Sequence, residues 1–212
     1  YNIDVIVGIA PGLDYNFNEL HDLSGDNQNY DFQLLLKKAK QLLEDGANSI
    51  ALMLDDIPND FKKKFGVDVS EGTYHGILAN KLSRELEQNI FFVPRIYADE
   101  LIKDNPSYLK DLSKMLSPNI KIFYCGKNVV NKSFKNQERI KKILPNKIIF
   151  WDNFYANDYC PQKIFIGPYF GRSNFDNTMI NPTGLIKTDL FILDLIYLTI
   201  INNNCETAWT IN

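Results

Sequence analysis

Short runs of β-branched and aromatic residues alternate along this chain with segments of helical periodicity, and that alternation narrows the fold more than any single motif. The apolar runs are Ile3 to Ala10, Ser49 to Leu54, Ile90 to Val93, Ile120 to Cys125, Lys147 to Trp151 and a weaker one at Thr178 to Ile180. Between the first two, "YDFQLLLKKAKQLLEDG" puts Leu34, Leu35, Ala39, Leu42 and Leu43 on one helical face and stops at Gly46. Further helices are expected over Tyr74 to Gln88, Ser107 to Leu116, Gln137 to Leu144 and Lys187 to Asn202. A β-α unit repeated about six times implies a parallel sheet with helices outside, either doubly wound or a barrel. No repeat, low-complexity stretch or linker divides the chain, so residues 1–212 read as one domain.

Polar residues gather just after the strands. "PGLD", "DDIPND", "PRIYADE", "CGKNVV", "DNFYANDY" and "NPTG" follow the six runs in order. In a parallel β/α protein all such loops lie on the carboxyl-end face, where sites are built. Turn formation alone accounts for any one of these loops; Asp, Asn and Tyr recurring in all of them favour a barrel mouth.

Composition removes several function classes. A net charge of −3 and the lack of a Lys/Arg block give no field for a nucleic-acid backbone. Cys125, Cys160 and Cys205 have neither disulfide-framework nor zinc-ligand spacing, and His21 and His75 are the only histidines, so no metal or cofactor is suggested. Cys125 and both histidines are expected to be structural. "GIAPGLD" after the first strand lacks a phosphate-binding glycine pattern, which disfavours a nucleotide-binding protein. No signal peptide is visible in the chain, and the cytoplasm is favoured. The apolar stretch at 189–203 is too short to span a bilayer and carries Asp194, so it reads as a core helix rather than a membrane span.

The sharpest local feature is "LMLDDI", where a strand runs into adjacent Asp55 and Asp56. Consecutive side chains in a strand face opposite ways, but at its end the pleat relaxes and both acids can reach the mouth. Close carboxylates push their proton affinities apart, so that one stays ionised and the other holds a proton near neutrality, as acid/base chemistry requires. The plain alternative is a turn cap plus a solvated acid.

"LMLDDI", "WDNFYANDY", "KIFIGPYFGRS" and "INPTG", in this order and spacing, resemble glycoside hydrolase family 84, the β-N-acetylglucosaminidases that include the protein O-GlcNAcases. The resemblance runs from "IAPGLD" through the last helix and implies a (β/α)8 TIM-type barrel. It implies a retaining enzyme that hydrolyses terminal β-linked GlcNAc from glycoproteins or glycans, in which the sugar's own acetamido oxygen is the nucleophile and an oxazoline-type intermediate forms. On that pattern Asp55 accepts a hydrogen bond from the acetamido N–H, and Asp56 is general acid and then base. Tyr97 and Asn153 hydrogen-bond around the acetamido group and its aspartate, and Asp158 and Asn181 hold ring hydroxyls. Trp151, with Val93, Cys125 and Val129, lines the acetyl pocket. Without the resemblance, Trp151 and Tyr97 read equally well as core residues. Tyr169 and Arg172 are expected to hold the long loop rather than touch sugar.

The resemblance breaks in two places. The chain starts at the family's third strand, so two β/α units are absent, with the loops that give a backbone glycine and a lysine to the sugar; unpaired strand edges are expected. In "INPTG", Thr183 stands where relatives carry another polar residue. An inactive GlcNAc-binding barrel fragment and a hyaluronidase-type hydrolase are the alternatives.

Overall fold

A computed structural model describes residues 3–21, 30–66, 70–132, 138–158, 162, 164–165, 169, 171–172 and 177–202. It contains β1 (Ile6–Ile9), β2 (Ser49–Met53), β3 (Phe91–Val93), β4 (Lys121–Tyr124), β5 (Ile148–Asp152) and β6 (Thr178–Ile180). The strand order is the sequence order. Helices α1 (Tyr30–Glu44), α2 (Phe61–Phe65), α3 (Glu71–Glu85), α4 (Tyr108–Met115), α5 (Glu138–Ile143) and α6 (Ile186–Asn202) fall between or after them, with 3-10 turns at Phe17–His21 and Asp99–Asp104. The fold class is α/β of the TIM-barrel type, with six strands among the described residues where a full barrel has eight.

The chain forms two compact units, Tyr1–Tyr124 with Glu138–Ile148, and Cys125–Gln137 with Ile149–Asn212. In the first, β1 pairs parallel with β2 (Ile6 opposite Ser49), β2 with β3 (Ala51 opposite Phe91) and β3 with β4 (Phe91 opposite Lys121). Ile50, Leu52, Phe92 and Ile122 are fully buried, as expected for parallel strands covered by helices. The outer strand β1 differs: Ile6 is 40% exposed, as befits an edge. In the second unit β5 pairs parallel with β6, Phe150 opposite Thr178.

Two helical expectations need correction. On α1 the buried stripe is Phe32, Leu35, Leu36 and Ala39, at i, i+3, i+4 and i+7, while Leu34 is 49% exposed. The leucine run made the stripe ambiguous by one residue, and Phe32 decides the phase because it buries the largest ring. The core helix expected at 189–203 has residues 189–202 in α6, but only Ile192, Leu195 and Ile196 of it are buried, beside Tyr155 and Tyr169. Leu190, Leu193, Tyr197 and Ile200 are exposed, because a helix apolar on every side has more greasy surface than one contact face can cover. Among the described residues no helix is long and apolar enough to cross a membrane.

Helices α3 and α4 cross at glycines. A Cβ on Gly72 would lie 2.2 Å from the Tyr108 carbonyl oxygen and 2.9 Å from the Leu112 nitrogen, and one on Gly76 2.9 Å from the Met115 Cβ. The opposing atoms at Gly72 are backbone, so they cannot rotate away. Gly72→Ala is therefore expected to lower stability by about 1–3 kcal/mol despite the better helix propensity of alanine, read as a reduced Tm or denaturation midpoint.

Candidate active site

In the first unit the β2 ladder ends with the Leu54 N–H donating to the Val93 carbonyl at 2.9 Å. The chain then turns at Asp55 and Asp56, which separate in environment. Asp55 is half-buried; desolvation raises its proton affinity, the Asp56 charge raises it further, and a hydrogen bond from its own backbone N–H opposes both. Asp56 is exposed, with φ +50°, a left-handed conformation that aspartate tolerates better than most residues. The Tyr97 hydroxyl donates to Asp56 Oδ1 at 2.9 Å. The tyrosine thus reaches the same turn as the paired acids. Val93, the last residue of β3, is 1% exposed.

The loop that carries Tyr97 is fixed from beneath by a charged network that sequence reasoning missed. Arg95 pairs with Glu71 through Nε and, at 2.8 Å, through Nη2, and Asn105 Nδ2 adds 2.9 Å to the same carboxylate. The Arg95 N–H donates to Tyr108 Oη at 3.0 Å, and that oxygen lies 2.8 Å from His75 Nδ1. Burial holds His75 down at about 4, so this histidine is neutral and structural, as expected from the sequence. His21 is described for backbone only, and Cys160 and Cys205 lie outside the described residues.

In the second unit Asn153 follows β5 directly. Its Nδ2 donates to the Val129 carbonyl at 3.0 Å and reaches the buried Cys125 Sγ at 3.4 Å, while its Oδ1 accepts from Asn181 Nδ2 at 3.1 Å. The Asn181 N–H donates to the Asp152 carbonyl at 2.9 Å. Four of the candidate residues, Cys125, Val129, Asn153 and Asn181, are thus tied together by one side-chain amide. Asp158 stands outside that set, exposed in a turn, and Trp151 is half-buried on β5.

Asp152 carries the second missed network. Arg172 donates to it through Nε at 2.9 Å and Nη2 at 3.1 Å, both side chains being 0% exposed. The Tyr169 hydroxyl also donates to Asp152, and burial with that neighbouring carboxylate pushes the phenol well up. The guanidinium lies 4.1 Å over Phe154 and donates to the carbonyls of Asn131 and Lys132. Tyr169 and Arg172 hold loops in place, as expected. The one sequence signal for their partner was an aspartate at an inward strand position, between Trp151 and Asn153.

Among the described residues no group of His, Cys, Asp and Glu could hold a metal ion. The profile of the family described as beta-N-acetylglucosaminidase matches residues 1–183. The protein O-GlcNAcase of Mus musculus is 30% identical over 181 residues, covering 82% of this chain and 19% of that protein. The Rattus norvegicus protein is 29% identical over the same length and shares. A solved mutant of the Thermobaculum terrenum O-GlcNAc hydrolase shares the fold, with a TM-score of 0.79 over 98% of this chain and 46% of that one at 21% identity. The chain spans 19% of the length of the curated relatives it matches. On the profile match over most of its length, the chain belongs to the β-N-acetylglucosaminidase family.

Proposed function

We propose that this chain carries the catalytic acids of a retaining glycoside hydrolase that removes terminal β-linked GlcNAc from glycoproteins or glycans. The observation that carries the reading is the pair Asp55 and Asp56 leaving the β2 end in one turn, with Tyr97 on Asp56. In the first step the acetamido oxygen bonds to the anomeric carbon as the bond to the leaving oxygen breaks, and Asp56 gives that oxygen its proton. Asp55 accepts the acetamido N–H and balances the positive charge of the oxazoline-type ring. Asp56, now a carboxylate, takes a proton from water, whose oxygen opens the ring and restores the original configuration. Two inversions give retention without an enzyme nucleophile, an exception to the paired-carboxylate spacing rule.

The second unit carries further candidate polar groups. Asn153 serves the acetamido region, and Asn181 and Asp158 the ring hydroxyls, where an amide and a carboxylate suit vicinal OH groups. On the family pattern Trp151, Val129 and Cys125 of this unit belong to the acetyl pocket. A second reading is GlcNAc binding without turnover, which the same polar groups would also serve.

Two outcomes check the first reading. The full-length gene product should hydrolyse 4-nitrophenyl β-GlcNAc, and Asp56→Asn should lower kcat by about 10²-fold or more. Absence of hydrolysis, or an undiminished mutant, rejects it; tight binding of GlcNAc-thiazoline by calorimetry without turnover selects the second. Asp55→Asn should abolish most activity and yet stabilise the fold at neutral pH. The sign follows from the raised affinity of Asp55: the folded state favours its protonated form, so stability is lost as pH rises through the folded value. The gain in Tm for the asparagine variant should therefore vanish below about pH 3.5, where the acid is protonated folded and unfolded alike.

A further inference from the structure

Asp56 sits where neither helix nor ladder fixes it: exposed, at φ +50°, in the turn beyond β2. A proton donor in that position needs its direction set by something else. Its visible restraint is the hydroxyl of Tyr97, on the loop after β3. Both loops converge on one guanidinium. Arg95 precedes Tyr97 by two residues, and its Nη2 reaches Asn59 Oδ1 at 3.4 Å, three residues beyond Asp56. Asn59 in turn donates through Nδ2 to the Asp104 carbonyl at 3.1 Å, and the Asn105 side chain donates to Glu71, so the strap ends on the segment before α4.

The energetics of the Arg95–Glu71 pair call for such a role. Their side chains are 4% and 1% exposed. Taking both charges out of water is costly, and apolar replacements of similar volume are often neutral or stabilising, so stability alone does not account for the pair. Its fork geometry does something that packing cannot: a planar guanidinium gripped by a carboxylate fixes direction as well as distance.

We propose that Arg95 is a positioning residue for Asp56, acting on one side through the backbone to Tyr97 and on the other through Asn59. The inference rests on the reading of Asp56 as general acid. Arg95 itself, nearly without accessible surface, touches no substrate. Loosening the strap lets the Asp56 carboxyl swing away from the leaving oxygen while the acetamido attack, governed elsewhere, continues.

That separation gives the test. A phenyl leaving group needs protonation as its bond breaks, whereas a 2,4-dinitrophenyl group departs as a stable anion. The measurement is kcat/KM of the full-length gene product on phenyl and 2,4-dinitrophenyl β-GlcNAc, for the unmodified protein, Asn59→Ala, the double variant Glu71→Met with Arg95→Met, and Asp56→Asn. Asn59→Ala should lose about tenfold on the phenyl substrate, the double variant more, with less than about twofold change on the dinitrophenyl substrate. Equal losses on both substrates, or none in Asn59→Ala, overturn the proposal. Asn59 is exposed, so its variant decides the matter even if the double variant does not fold. If Asp56→Asn shows the leaving-group-dependent loss and Asn59→Ala does not, only the positioning role falls. If the unmodified protein cleaves neither substrate, the general-acid reading falls first and this proposal with it.

Discussion

A charge buried beneath a loop must be paired, and in each unit of this protein one such pairing decides where the loops go. Glu71 and Arg95 do this in the first unit, Asp152 and Arg172 in the second. Parallel strands end without a hairpin to tie them down, so the backbone beyond each strand has no ladder to satisfy it. Charge-assisted bonds supply direction there, being shorter and stronger than neutral ones. Side-chain amides do the remaining stitching. Asn131 caps the Cys125 and Asn128 carbonyls at 2.6 and 2.5 Å, Asn80 donates to the Met115 carbonyl at 2.6 Å and Asn146 to those of Ser117 and Ile120 at 2.7 and 2.9 Å. Asparagine suits the task because one planar group both donates and accepts.

Against that fixed frame the two acids differ in burial, and Asp56 alone is described with the Tyr97 hydroxyl on it. Mutual repulsion was expected to split them, with the proton held by the general acid. Desolvation acts first, and it acts on Asp55. On the proposed reading, an acetamido N–H brought to Asp55 would donate to its carboxylate and oppose that shift. A poorly solvated carboxylate gives up less hydration when it accepts such a bond than a well-solvated one does.

Much of the fold was legible in the sequence because it is written in local periods. Every expected strand is present within a few residues, since β-branched runs bounded by Asn, Asp, Gly and Pro leave little choice of limits. What escaped was short or non-local. Helix α2 and the 3-10 turns are too brief for a period to show, and α3 begins at Glu71 rather than Tyr74 because a buried ion pair, not an apolar stripe, anchors its first turn. Arg95 with Glu71, and Arg172 with Asp152, are separated by 24 and 20 residues, and no local pattern joins such partners. In the candidate site the acids announced themselves by adjacency, whereas the meeting of Tyr97 with Asp56 depends on how two strand ends are trimmed.

In "INPTG" two neighbouring polar residues are held by separate sets of bonds. Thr183 donates through Oγ1 to Asp189 Oδ1 at 2.6 Å, its N–H reaches the same oxygen at 2.8 Å, and its Oγ1 accepts the Leu185 N–H at 3.1 Å. The threonine is thereby committed to the start of α6, where a hydroxyl and a first-turn carboxylate satisfy N–H groups that no helical turn can. Asn181 is held by different bonds, its backbone on the Asp152 carbonyl and its amide on Asn153. Because the two sets share no atom, the identity of residue 183 governs how the helix begins and leaves the direction of the Asn181 side chain to β5.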